Sequence, residues 1–150
     1  MNENRPSRGR RLLMAALVVG LAAVALAVLI PDHPTADLGG TAWTLVAYGP
    51  AGAPIAAEAP ASITFEANGR FSGFDGCNRF FGNFRAGDGQ WEIVDGEVAR
   101  TLAECDTESP AGAQGAFFRA RLTDGNYTKR ADRLTLWFAD GQMAAFVAAP

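Results

Sequence analysis

From Trp43 onward the chain is cut into short runs of alternating apolar and polar residues, each ending at Gly, Pro, Asn or Asp. A period of two puts one face of a strand in a core and the other in water, so the pattern commits the chain to half-buried antiparallel strands. Trp43 to Tyr48 stops at Gly49-Pro50. Ser62 to Glu66 turns through Ala67-Asn68-Gly69 into Arg70 to Phe74. Gln90 to Val94 and Val98 to Leu102 continue the rhythm, and Arg133 to Phe138 and Gln142 to Ala148 flank Ala139-Asp140-Gly141. Asn-Gly and Asp-Gly are hairpin signals because these residues tolerate positive φ at little cost.

One segment breaks the alternation. Ser109-Pro110 supplies an N-cap and a first-turn proline, and Phe117, Phe118 and Leu122 fall on one face of the helix that follows. Gly112 and Gly115 each lower helix propensity by about 1 kcal/mol relative to Ala, so this helix depends on packing. It is expected to lie across the sheet and close one end of the core. Seven to eight strands with one helix predict an α+β domain, a strongly bent antiparallel sheet or partly open barrel. The ten phenylalanines and three tryptophans of the chain are read chiefly as its core.

The N-terminus reads differently. Arg5, Arg8, Arg10 and Arg11 precede Leu12 to Ile30, which carries no charge. As a helix that run spans roughly 28 Å, close to the hydrocarbon thickness of a bilayer. Residues 1–30 are therefore read as a signal anchor, with a cleavable signal peptide as the alternative, since Ala23-Val24-Ala25 and Ala25-Leu26-Ala27 offer small residues at cleavage spacing. The basic flank places the rest of the chain outside the cytoplasm, tethered to the membrane in the first case and secreted in the second. Residues 31–37 form a Pro-rich linker holding His33, the only histidine, and the folded domain spans 38–150. From Leu38 on there are nine basic and thirteen acidic residues. An acidic balance argues against nucleic acid and against a polybasic lipid-headgroup surface.

Between the second hairpin strand and Gln90 lies a glycine-punctuated turn, Gly73-Phe74-Asp75-Gly76-Cys77-Asn78-Arg79-Phe80-Phe81-Gly82. It is followed at a distance by Thr101-Leu102-Ala103-Glu104-Cys105. Gly73, Gly76 and Gly82 mark places where the chain turns sharply or strands approach closely. Asn78 is read as bonding neighbouring backbone and tolerating a left-handed conformation. A phosphate-cradling loop would need a following lysine and helix, which are missing here.

Taken in order, Trp43-Thr44-Leu45, Gly69-Arg70-Phe71-Ser72-Gly73, Gly76-Cys77-Asn78, Phe81-Gly82, Thr101 to Cys105, the helix and Leu134-Thr135-Leu136 make a chain that resembles the META domain family. That family includes the heat-shock protein HslJ. The resemblance covers Leu38 to Ala148 and rests on Trp43, Gly73, Gly76, Cys77, Asn78, Gly82, Thr101 and Cys105. It implies a single α+β domain in exported or envelope-associated proteins linked to stress tolerance, with no settled catalytic activity. Two departures stand out: Gly115 occupies a helix position where members tend to carry glutamate, and Glu104 sits where a small or apolar residue is usual.

Cys77 and Cys105 form an even pair in a domain placed outside the cytoplasm, so a disulfide is the leading reading, with two buried unbonded thiols as the alternative. No histidine in the domain can serve either thiol as a base, and two isolated thiols are too few for a metal site. Asp75, Glu104, Asp106 and Glu108 read as a solvated acidic rim, since no calcium-loop spacing appears. The expected function is accordingly non-catalytic, without cofactor or metal: envelope stress tolerance through binding or structural stabilisation, with an envelope protein or lipid as partner. Two alternatives accompany it, a carrier of a small apolar ligand inside the bent sheet and an adaptor presenting Gly49 to Pro60 to a protein.

Overall fold

A computed structural model describes residues 38–150. The apolar run Leu12 to Ile30, the linker 31–37 and His33 lie outside the described residues. The strands are β1 (Thr41–Pro50), β2 (Ile55–Ala56), β3 (Ser62–Phe65), β4 (Arg70–Phe74), β5 (Arg79–Gly87), β6 (Gln90–Arg100), β7 (Gly125–Arg130), β8 (Arg133–Trp137) and β9 (Gln142–Ala148), with helix α1 (Pro110–Arg121) between β6 and β7. All pairings are antiparallel, and β1 pairs with β9 from Trp43↔Ala148 to Pro50↔Gln142. Eight strands thus close into a barrel, and β2 hangs on β1 at Ala47 and Tyr48.

The expected hairpins are present, with Gly69 at φ 83° and Gly141 at φ 78° supplying the left-handed turn residues. Three strands lie where sequence periodicity was weak. β5 begins inside the stretch read as a turn; only Asp75 to Asn78 turns, and Phe80, Phe84 and Ala86 then bury one face. β7 buries a single side chain, Tyr127, along its length, and β2 lies in the expected exposed connection. The runs from Gln90 and from Val98 are one strand, with Asp95 (φ 59°) and Gly96 (φ 66°) bulged between them opposite Asn83.

The inward faces fill the barrel. Trp43, Phe65, Phe71, Phe84 and Trp91 are fully buried, and Phe65 meets the edge of Phe84 at 4.9 Å while Trp91 stands edge-on to Phe65 and Phe71 at 6.3 and 6.4 Å. Each such pair contributes about 0.5–1.5 kcal/mol beyond area burial. The ring of strands is thinnest between β6 and β7, which pair only at Gln90↔Asn126 and Trp91↔Gly125. Beyond that seam β6 runs on toward α1.

α1 begins as its sequence directs, with Ser109 Oγ accepting from Gly112 N at 3.1 Å and Pro110 in the first turn. Phe117 packs edge-on to Tyr48 and Phe138, and Phe118 stacks on Phe80 and touches Phe146. The helix therefore caps one end of the barrel. Chain connectivity puts Leu38 at the other end, where Gly40 N donates to Phe65 O at 2.7 Å. β1 and β4 each lead from that end to the helix.

Candidate functional site

The turn joining β4 to β5 is built from its own side chains. Asp75 Oδ1 accepts from Cys77 N at 2.9 Å and Asn78 N at 2.6 Å, and Asp75 N donates to Asn78 O at 3.0 Å. Gly76 sits at φ 102°, where a Cβ would also come within 3.1 Å of Gln114 Nε2. Glycine is thus required twice, by backbone and by neighbour. Gly73 and Gly82 have ordinary φ and owe their identity to close approach: a Cβ would strike the Phe80 ring and Ser62 O at the first, and the Phe71 ring and Glu97 O at the second.

Asn78 reaches across the fold. Its Oδ1 accepts from Thr101 Oγ1 and Ala103 N, both at 2.8 Å, and its Nδ2 donates to Ala103 O at 3.2 Å. The side chain behaves as one more strand partner for Ala103, in an ordinary negative-φ conformation. This replaces the expected local and left-handed role. An amide can serve a distant peptide this way because it carries the same donor and acceptor pair as the backbone. Thr101 is also tied to β5, with Thr101 N donating to Arg79 O and Arg79 N to Thr101 Oγ1, each at 3.0 Å.

Cys77 and Cys105 are joined in a disulfide, with Cα atoms 6.1 Å apart and a sequence separation of 28. Closing a loop of that length constrains the unfolded chain by about 3–4 kcal/mol on the chain-entropy account. The segment Thr101 to Cys105 is therefore pinned at its start by Asn78 and at its end by the disulfide. Between the pins Leu102 is 93% exposed.

Below this loop lies a buried polar cluster. Asp75 is 2% exposed and pairs through Oδ2 with Arg100 Nη1 at 3.2 Å, while Arg100 Nη2 donates to Phe118 O at 3.1 Å. Burial holds the Arg100 guanidinium below its usual range; Asp75 opposes that shift and Arg119 adds to it. Asp75 thus leaves the expected acidic rim for an internal ion pair, and Glu104, Asp106 and Glu108 remain exposed. Gln114, fully buried on α1, donates to Ala59 O at 3.0 Å and accepts from Ala59 N at 3.3 Å. Arg100 and Gln114 were not singled out by sequence. For Gln114 a signal existed: it lies three and four positions before Phe117 and Phe118, a polar residue on the apolar face.

The helix rests on this assembly through its glycines. A Cβ at Gly112 would collide with the Asp106 carbonyl, and one at Gly115 would sit 3.0 Å from Cys77 Cβ and 3.2 Å from Asp75 Oδ1. A glutamate at 115 would thus press a second carboxylate toward Asp75. Between Arg100 to Cys105 and the helix face at Gly112, Gly115, Ala116 and Arg119 runs a cleft of about 630 Å³ with both cysteines in its wall. Among the described residues, no group of three or more His, Cys, Asp or Glu side chains is placed to hold a metal ion. Trp43, at the opposite end, is buried with its ring N–H donating to Thr41 Oγ1 at 2.8 Å.

The META domain model matches residues 36–150. The chain belongs to the META domain family. Two solved structures share the barrel of this META domain. An NMR structure of a protein from Burkholderia xenovorans is 26% identical, with a TM-score of 0.58 over 80% of this chain and 99% of that one. A second NMR structure, 22% identical with a TM-score of 0.55, covers 74% of this chain and 91% of its own. No curated protein matches the chain. Neither structure's description names an activity.

Proposed function

We propose that this META domain is a non-catalytic binding module, held outside the cytoplasm by the segment Leu12 to Ile30, that supports envelope stress tolerance by docking a protein partner at the Thr101–Cys105 loop. The observation that carries the reading is Leu102, 93% exposed on a loop anchored at one end by Asn78 and at the other by the disulfide. A loop whose backbone is already held in place has less ordering cost to meet when it docks. The loop lies at the helix end of the barrel, away from Leu38. The buried polar groups beneath it are engaged in holding it: Asp75 by Arg100 and the turn amides, Asn78 by Ala103. The interior that an enclosed ligand would need is filled by Trp43, Phe65, Phe71, Phe84 and Trp91.

The test is complementation of a deletion strain under heat, oxidant and envelope-active drugs, with wild type or Leu102→Ser. Wild type is expected to restore tolerance and Leu102→Ser to fail while its unfolding free energy stays within about 0.5 kcal/mol of wild type, as surface substitutions do. A deletion without phenotype, or full rescue by Leu102→Ser, sinks the proposal.

A further inference from the structure

The disulfide that anchors the display loop is not sealed in the core. Cys77 and Cys105 are each only partly buried, and both form part of the wall of the cleft beside α1. The two sulfurs are unequally surrounded. Cys77 lies under the helix, its Cβ against Gly115, and its Sγ accepts from Asn78 Nδ2 at 3.1 Å. Cys105 belongs to the exposed loop, flanked by exposed Glu104 and Asp106.

We infer that Cys77–Cys105 is an exchangeable disulfide, attacked at Cys105 by a dithiol reductant with Cys77 as the leaving thiolate, and that its opening releases the Cys105 end of the display loop. The regulatory half of this inference rests on the docking role proposed for that loop. In the first step a thiolate of the reductant bonds to Cys105 Sγ, the Cys105–Cys77 bond breaks, and the electron pair leaves on Cys77, which then takes a proton. In the second, the reductant's other thiol loses its proton and attacks its own sulfur in the mixed disulfide, expelling Cys105 as a thiolate that is protonated in turn. The dithiol is oxidised to a disulfide, and both cysteines are reduced.

Direction follows from the surroundings. A hydrogen bond to the charged form stabilises a thiolate, and a better-stabilised leaving thiolate departs faster. The Asn78 amide offers that bond to Cys77 and already points at its sulfur. The helix at Gly115 crowds Cys77, whereas Cys105 sits between two exposed residues, Glu104 and Asp106. The fold is arranged to survive the break: Asn78 still holds Thr101 and Ala103, and Asp106 O still accepts from Ser109 N at 3.0 Å. What comes free is the short span between these anchors, Glu104 to Cys105, which forms one lip of the cleft.

The experiment uses the purified full chain. The oxidised protein is given the monothiol cysteamine under native conditions, quenched by alkylation, and mapped by peptide mass. The expected result is an adduct on Cys105 and an alkylated Cys77 in about tenfold excess over the reverse. Equal labelling, an excess on Cys77, adducts only in denaturant, or a preparation with both thiols already free would overturn the exchange. The fully reduced protein is then examined by a glutamate-specific protease and by amide hydrogen exchange, with faster cleavage expected after Glu104, no faster cleavage overturning the release, and unchanged protection in β1, β4 and β9. Loss of protection across the barrel would overturn the release. Because neither readout involves a partner, full rescue by Leu102→Ser would sink the docking role and leave both results standing, and the two proposals fail separately.

Discussion

Around Phe65, Phe71, Phe84 and Trp91 the barrel is held by aromatic rings that meet edge to face, while beneath α1 it is held by Asp75, Asn78, Arg100 and Gln114 through directed hydrogen bonds. The first region obtains its stability from area removed from water, which depends on volume more than on atom identity. The second obtains it from matched donors and acceptors, where one wrong atom leaves several groups unsatisfied. The comparison explains why the residues that carry the family resemblance crowd the helix end: Gly76, Cys77, Asn78, Thr101 and Cys105 all belong to the matched network. Backbone geometry and atom type are specified there in a way that the aromatic interior does not require.

Four changes test the contrast. Trp91→Ala should cost about 3–5 kcal/mol in a urea melt, the largest effect, because it empties the centre of the ring cluster. Leu134→Met, equally buried, should cost less than about 1.5 kcal/mol, since the interior accepts a swap that keeps volume. Asn78→Asp keeps shape yet should cost about 2–3 kcal/mol, because it removes the donor to Ala103 O and brings a buried carboxylate beside Asp75. If Asn78→Asp proved as mild as Leu134→Met, the distinction between the two regions would be lost. Gly115→Glu should cost about 1–3 kcal/mol and lower the urea midpoint, as its Cβ meets Cys77 and Asp75; a neutral outcome would show that the helix can lift off the turn.

The smallest effect concerns pH. Burial, with Glu58 adding to it, raises the Tyr48 phenol above its ordinary 10.0. Above that ordinary value the unfolded chain has lost a proton that the folded protein still holds, so stability present below it falls as pH rises through the folded pKa. Urea melts between about pH 9 and 11 should show that decline, and Tyr48→Phe should flatten it.

Local signals in the chain were legible where they act locally. Ser109-Pro110 started the helix, Asn68-Gly69 and Asp140-Gly141 made their turns, and Phe117, Phe118 and Leu122 went inward. β5 was obscured because Gly76 and Gly82 look alike in sequence, though one is in a left-handed turn and the other lies flat under the Phe71 ring. β7, Gly125 to Arg130, carries so little apolar alternation that only its pairings with β6 and β8 reveal it. Asn78 was visible as a distinctive residue but not as a partner of Ala103, because nothing in the intervening 25 positions says where β6 will deliver that carbonyl.

The amino-acid order by itself determined the antiparallel strands, the start of the helix, the aromatic interior and the motif that marks the family, since periodicity, capping and turn chemistry are decided within a few residues. Closure of β1 on β9, the thin seam between β6 and β7 and the pairing of Arg100 with Asp75 were decided only by tertiary structure, which also chose the Cys77–Cys105 bond over the unbonded thiols that the sequence left as its alternative. Each depends on the relative placement of segments far apart in the chain. That placement is set by how the strands shear and how closely glycine lets the helix approach them.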